Sequence, residues 1–297
     1  MRAHLICGWL GQFGYDTGMT TVEEGSVEAG EGVRLYFKSI GEGEVAVIPL
    51  VSWTEEFDVL ARGRRVIFYD PRNRGQSTAV ELERISFAND VLDLETVRRH
   101  FAVEKISPVG WSYFAGVVAR YAMDFPERVE RFVMVGGPPI RRQPYSEGIN
   151  RVMASRINEV APGFLQQLQA NPVDTELLRR FWELIKQVRS GPGGLRPMRG
   201  DPSQFTNEKP ENVSAVVQRG IQTQGDWDWR EDAKRATSPA LFVWGDADFI
   251  PSEAADEWGM CLPNAQVLRM EGVGHFPSLE NPELFFRVLE DFLSGRY

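Results

Sequence analysis

Five short runs in this chain carry almost nothing but apolar residues: Val45–Leu50, Arg65–Tyr69, Ile106–Val109, Arg131–Val135 and Ala240–Trp244. A strand with one solvated face alternates polar and apolar side chains. A run that is apolar throughout has both faces buried, the condition of strands in a parallel sheet covered by helices. The intervening segments supply those helices. Ser86–Phe101 places Val91, Leu94, Val97 and Phe101 at helical spacing, and the stretch after Ser112 carries Val117, Val118, Tyr121 and Ala122 before stopping ahead of Pro126. Near the end, Gln266–Met270 reads as a strand and Pro282–Leu293 as a helix with Leu284, Phe285, Val288, Leu289 and Phe292 on one face. Ahead of all of these, Ser26–Ile40 alternates around Val27, Val33, Leu35 and Phe37 with Gly30 and Gly32 between, as an antiparallel hairpin does. The expected class is α/β, a mostly parallel sheet flanked by helices on both faces.

One long segment breaks this rhythm. Between Pro139 and Arg230 helical patterns recur at Val152–Val160, Glu176–Val188 and Asn212–Gln218, interrupted by Gly191-Pro192-Gly193-Gly194, with no convincing strand. The expectation is a helical cap over 139–230 inserted into a core formed by 19–138 and 231–297. Residues 1–18 read as a leader or frayed extension: the apolar patch Leu5–Leu10 lacks the length and the small-residue cleavage site of a signal peptide. A chain of 297 residues, 42% hydrophobic and 25% charged, has the composition of a globular protein with a large core. Its formal net charge of -9 works against binding nucleic acid, which rests on clustered Lys and Arg. No apolar run approaches the roughly eighteen residues of a membrane helix. Cys7 and Cys261 stand far apart and form no metal-ligand or disulfide pattern, which fits a reducing cytoplasm and no bound metal.

In parallel sheets, sites collect beyond the carboxyl ends of strands. Three places qualify: the Gly110-Trp111-Ser112 junction, the Gly245–Asp248 turn and the loop holding His275. A serine hydroxyl is a weak nucleophile until a base accepts its proton and a third group fixes the base's tautomer. Of three histidines, His4 lies in the leader and His100 at a surface-patterned helix end, which leaves His275, set in a tight loop by Gly272, Gly274 and Pro277. Asp246 and Asp248 compete for the third role. Asp70, just before Arg72 and Arg74, reads as a buried structural ion pair and stays outside the site. Trp111 and Trp53 are candidate walls of a substrate pocket, whereas Phe181, Trp182, Trp227 and Trp229 read first as the cap's own core. Arg141, Arg142, Arg179 and Arg180 make the cap locally basic, as either solvated helix faces or an attraction for an anionic substrate.

From about Ser26 to its end the chain resembles an α/β-hydrolase. The resemblance rests on four motifs in order: Tyr69-Asp70-Pro71-Arg72-Asn73-Arg74-Gly75-Gln76-Ser77, Gly110-Trp111-Ser112-Tyr113, Gly245-Asp246-Ala247-Asp248, and Gly274-His275-Phe276-Pro277 with Glu280-Asn281-Pro282. It implies the α/β-hydrolase fold, Ser112 as nucleophile, His275 as base and Asp248, by the family's spacing, as the orienting acid, in the chain order Ser, Asp, His. It implies no cofactor. The chain departs from the family twice. Phe114 stands where the nucleophile turn usually has a small residue, and Pro49-Leu50-Val51-Ser52-Trp53 replaces a common His-Gly pair. The backbone N–H of Tyr113 is the expected first oxyanion donor, and that of Leu50 or Val51 the second. The expected activity is hydrolysis of a small-molecule carboxylic ester through an acyl-enzyme, by a monomer or homodimer acting without nucleic acid or membrane. One alternative is an aminopeptidase acting on N-terminal proline, because Asp93-Leu94-Glu95 and Phe125-Pro126-Glu127-Arg128 resemble that relative. Another is a ligand-binding or receptor protein on a hydrolase scaffold, motivated by Phe114 and the missing His-Gly pair. Haloalkane dehalogenases and epoxide hydrolases carry an aspartate where this chain has Ser112.

Overall fold

The computed structural model describes residues 21–171, 174–199 and 210–296. Eight strands form one sheet: β1 (Val22–Glu28), β2 (Arg34–Ile40), β3 (Val45–Pro49), β4 (Arg65–Tyr69), β5 (Ser107–Trp111), β6 (Phe132–Val135), β7 (Ala240–Gly245) and β8 (Ala265–Met270), in the order β1-β2-β4-β3-β5-β6-β7-β8. β1 and β2 pair antiparallel, as do β2 and β4, and every other pairing is parallel. This is the α/β-hydrolase fold, with a mostly parallel sheet. The hairpin begins at Val22, earlier than the sequence pattern suggested, because the first half of β1 is largely solvated at the sheet's edge and shows no alternation.

The described residues also form ten α-helices: α1 (Thr54–Phe57), α2 (Phe87–His100), α3 (Tyr113–Asp124), α4 (Tyr145–Val160), α5 (Phe164–Ala170), α6 (Thr175–Arg189), α7 (Pro210–Gln224), α8 (Glu253–Cys261), α9 (Pro277–Glu280) and α10 (Pro282–Leu293). The period of two along each strand sends alternate side chains to two separate cores. Ile67, Tyr69 and Phe242 pack under α2, α3 and α8, while Val66, Phe68, Leu241 and Val243 pack under α10 with Phe285 and Leu289. Among the described residues four helices, α4 to α7, lie between β6 and β7, and Ile157, Phe164, Leu184, Ile185 and Val188 give that insertion an apolar cluster of its own. The pattern did not announce α5, a short helix that starts after Gly163 at φ 76°. Among the described residues, no helix is long and apolar enough to cross a membrane. The leader, with His4 and Cys7, lies outside the described residues.

Beside the strand ends sits a buried ion pair. Arg72 Nε and Nη2 donate to Asp93 Oδ2 and Oδ1 at 2.9 and 2.5 Å, and both residues are buried. Asp70 takes no part in it. Its carboxylate accepts N–H groups of Val51 and Gln76 at 2.9 and 3.0 Å, so the expected pairing of Asp70 with the arginines is corrected: the partner of Arg72 comes from α2. A buried charge stripped of its partner is costly, so Asp93→Ala should lower stability by about 3–5 kcal/mol, whereas Arg72→Met with Asp93→Leu should recover most of that loss. Urea unfolding midpoints of the single and double variants provide the measurement.

Candidate active site

β5 runs straight into α3, and the residue between them is Ser112. Its backbone sits at φ 54°, ψ −120°, a region a residue with a Cβ avoids. The turn is this sharp because β5 and α3 meet almost in contact: a Cβ on Gly110 would lie 2.2 Å from the Phe114 carbonyl oxygen. Ser112 N–H donates to Val135 O at 2.8 Å, which anchors the turn to β6. The side chain therefore stands clear of both elements, at the carboxyl edge of the sheet.

The other two side chains arrive from neighbouring strand ends. His275, fully buried, follows β8, and its Nε2 is 2.9 Å from Ser112 Oγ. Its Nδ1 lies 2.9 and 3.1 Å from the two carboxylate oxygens of Asp248, beyond β7. A carboxylate only accepts, so the imidazole proton resides on Nδ1 and the Nε2 lone pair faces the serine hydroxyl. Asp246 stands apart from this chain of hydrogen bonds: its Oδ1 accepts Gly272 N–H at 2.7 Å and closes the loop before the histidine. His100 is exposed at the end of α2, its ring tilted against Phe37 and edge-on to Phe101.

Several residues hold the histidine that sequence patterns did not single out. His275 N–H donates to Arg189 O at 2.8 Å, and Trp111 Nε1 donates to the His275 carbonyl at 2.6 Å. Glu280 accepts N–H groups of Gly274, Phe276 and, from the insertion, Gly191, at 2.7, 2.9 and 2.6 Å. Gly136, at φ 51°, passes so near that a Cβ there would lie 2.9 Å from His275 Nδ1. Its signal in the sequence was slight, a Gly-Gly pair at the end of an apolar strand.

The oxyanion loop differs from expectation. Leu50 N–H donates to Tyr69 O at 2.7 Å and Val51 N–H to Asp70 Oδ1 at 2.9 Å, so both expected second donors are engaged elsewhere. The ladder between β3 and β4 simply continues one residue further, and Asp70 captures the next N–H. Leu50 itself is forced to φ 80°. Tyr113, by contrast, opens α3, where the first N–H groups have no intrahelical acceptor. Its hydroxyl donates to buried Asp90 at 2.7 Å, and both burial and that carboxylate hold the phenol well above its ordinary pKa.

Trp53 and Trp111 pack edge to face at 5.6 Å and line, with Leu50 and Phe114, an apolar void of about 20 Å³. That is room for about one water, far below the few hundred Å³ of a ligand pocket. Both tryptophans thus line a narrow apolar crevice, and Trp111 also holds the histidine loop through its indole N–H. Trp229 stacks on Phe87 of α2 with Trp227 beside it, and Phe181 packs on the insertion's cluster. The Trp182 side chain lies outside the described residues.

Asp248 and Asp246 separate cleanly in a measurement. Asp248→Asn should slow the reaction of Ser112 with a fluorophosphonate on the order of 10⁴-fold, because the amide stabilises the wrong tautomer and no imidazolium, while Asp246→Asn should change it only a few-fold. Labelling rates on folded protein give the comparison.

Comparison with known proteins agrees with this fold. A family model described as the alpha/beta hydrolase fold matches residues 48–282. The pimeloyl-[acyl-carrier protein] methyl ester esterase of Nitrosomonas europaea is 28% identical over 184 residues, 61% of this chain and 68% of that protein. The 2-hydroxy-6-oxononadienedioate/2-hydroxy-6-oxononatrienedioate hydrolase of Paraburkholderia phymatum is 25% identical over 285 residues, 90% of this chain and 93% of that one. Among solved structures, the proline iminopeptidase of Mycobacterium smegmatis superposes with a TM-score of 0.71 at 18% identity, covering 92% of this chain and 98% of that one, a likeness of fold. With its sheet order, its strand-end serine and a family match over most of its length, the chain belongs to the alpha/beta hydrolase family and is a hydrolase.

Proposed function

We propose that this hydrolase cleaves carboxylic esters through an acyl-enzyme on Ser112. The observation that carries the reading is the continuous hydrogen-bond chain from Ser112 Oγ through His275 to Asp248, with a 2.9 Å contact on each side of the imidazole. His275 Nε2 takes the hydroxyl proton as Oγ bonds to the ester carbonyl carbon. Tyr113 N–H faces the oxygen that becomes negative. As the carbonyl re-forms, the carbon–oxygen bond to the alcohol breaks and His275 returns the proton to the departing alkoxide. Water, deprotonated by the same imidazole, then attacks the acyl group and regenerates Ser112 with release of the acid. Asp248 stabilises the transient imidazolium throughout. The helical insertion, tied to the histidine loop through Arg189 O and Gly191 N–H, acts as a cap over the reaction centre.

The names of two relatives support ester or related acyl chemistry, an esterase and a hydrolase of a dioate.

Folded protein should be labelled by a fluorophosphonate at Ser112 and should turn over a panel of aryl esters of varied acyl length, with Ser112→Ala abolishing both. Turnover of prolyl amides with inert aryl esters would assign an aminopeptidase instead, and tight ligand binding with no turnover of either would assign a receptor.

A further inference from the structure

The arginines that the sequence made conspicuous in the insertion are all occupied. Arg141 pairs with Glu257 at 2.7 Å, Arg142 donates to Gly225 O, Arg179 pairs with Glu176 and Glu183, and Arg180 lies over the Phe164 ring. Arg156 of α4 donates to Val188 O and to Asp248 O. Arg189, the last residue of α6, is different. Its guanidinium lies 4.8 Å from the centroid of the Phe249 ring, and that ring packs 4.8 Å from the ring of His275. Its own carbonyl accepts the His275 N–H, so the backbone at the root of this side chain is held against the histidine loop. Among the described residues it forms no ion pair: Asp248 is near enough to be felt electrostatically but is engaged by His275 Nδ1.

Such a cation is expensive to maintain. Arg189 Nε is shut off from solvent with no hydrogen-bond partner among the described residues, while the residue as a whole keeps partial exposure. Burial pulls the guanidinium down to about 10, against the opposing pull of Asp248. A deep-set guanidinium lacking both a counterion and full hydration calls for a partner. The guanidinium lies over the Phe249 ring, and its planar fork of N–H donors suits a planar, two-oxygen acceptor.

The chemistry says which part of the ester lies there. His275 must hand its proton to the departing oxygen, so the alcohol portion passes on the histidine side, where Phe249 and Arg189 stand. We propose that Arg189 binds a carboxylate carried by the alcohol portion of the substrate. The inference rests on the ester-hydrolase reading and deepens it, making the substrates anionic esters.

The test compares the butyryl ester of 4-hydroxybenzoic acid with that of methyl 4-hydroxybenzoate, which differ in one negative charge on the leaving group. With Arg189→Met, KM for the anionic ester should rise about tenfold more than KM for the neutral ester, the effect of losing one charge-assisted contact, while any change in kcat falls equally on both esters. Arg189→Lys should fall between, and Arg189→Gln stands in if the methionine variant folds poorly. An equal loss on both esters, the mark of a residue serving only Asp248 or the fold, overturns the proposal. So does a charge effect confined to the acyl side, read from 4-nitrophenyl hydrogen glutarate against 4-nitrophenyl valerate. If wild type hydrolyses none of these, the ester reading fails by itself, and 4-hydroxybenzoate binding by calorimetry then decides. Binding to Ser112→Ala that is lost on adding Arg189→Met sustains the carboxylate site, and no binding, or binding indifferent to Arg189, ends it.

Discussion

The strained backbone of Ser112 is the constraint around which the carboxyl edge of the sheet is arranged. A residue held at φ 54° costs about 1–3 kcal/mol and survives only where its surroundings fix it. Here Val135 O holds its N–H, Ala115 N–H holds its carbonyl, and α3 buries Ala115, Val118, Ala119 and Ala122 without remainder. Burying one valine-sized side chain contributes about 1.5–3 kcal/mol, so a few contacts of α3 outweigh the strain. The return is an Oγ at the edge of the sheet, on a half-buried residue, where it meets His275 Nε2. Leu50, at the end of β3, also has a positive φ, so two of the strand ends that frame the site carry strained backbone that packing and backbone hydrogen bonds sustain together.

The histidine depends on a second constraint that crosses from core to insertion. His275 is gripped at its N–H by the end of α6 and at its carbonyl by Trp111, while Glu280 gathers N–H groups from both sides of it and from Gly191. The spacing between base and serine is therefore set partly by α6. A change in the insertion reaches the imidazole through hydrogen bonds, with no need to touch substrate.

Elements whose environment is uniform were legible in the sequence. The central strands are buried on both faces and so spell themselves out as apolar runs, and the helices that cover them show one apolar stripe each. Serine and histidine were legible by chain order and by elimination among three histidines. What stayed hidden depends on which backbone group faces which: a run such as Pro49-Leu50-Val51 does not say that the β3–β4 ladder continues to Leu50 N–H, nor that Asp70 turns toward Val51 and away from Arg72. Arg189 was invisible for a related reason. One arginine among many at a helix end is ordinary, and only the fold shows that its neighbours are Phe249 and Asp248.

Phe114, the residue that most departs from the family pattern, makes physical sense beside Arg74. The position after the nucleophile turn is commonly small because α3 starts against the neighbouring strand. In this chain the tight approach falls on other residues: a Cβ on Gly137 would lie 2.8 Å from that of Ala115, and one on Gly116 would lie 2.8 Å from Pro138 Cγ. The Phe114 ring is thereby free to turn aside, edge to face with Tyr113 at 5.3 Å and 4.9 Å from the Arg74 guanidinium. Arg74 is itself buried, 3.9 Å from Asp90, and its Nη atoms, like Tyr69 Oη and one Asp90 oxygen, have no hydrogen-bond partner among the described residues. An aromatic face is a good neighbour for such a cation, since cation–π attraction needs no hydrogen bond. The bulky elbow residue and the buried arginine thus answer one another. A small residue at 114 would leave Arg74 with less to offset its desolvation, so the bulky elbow residue and this arginine belong together.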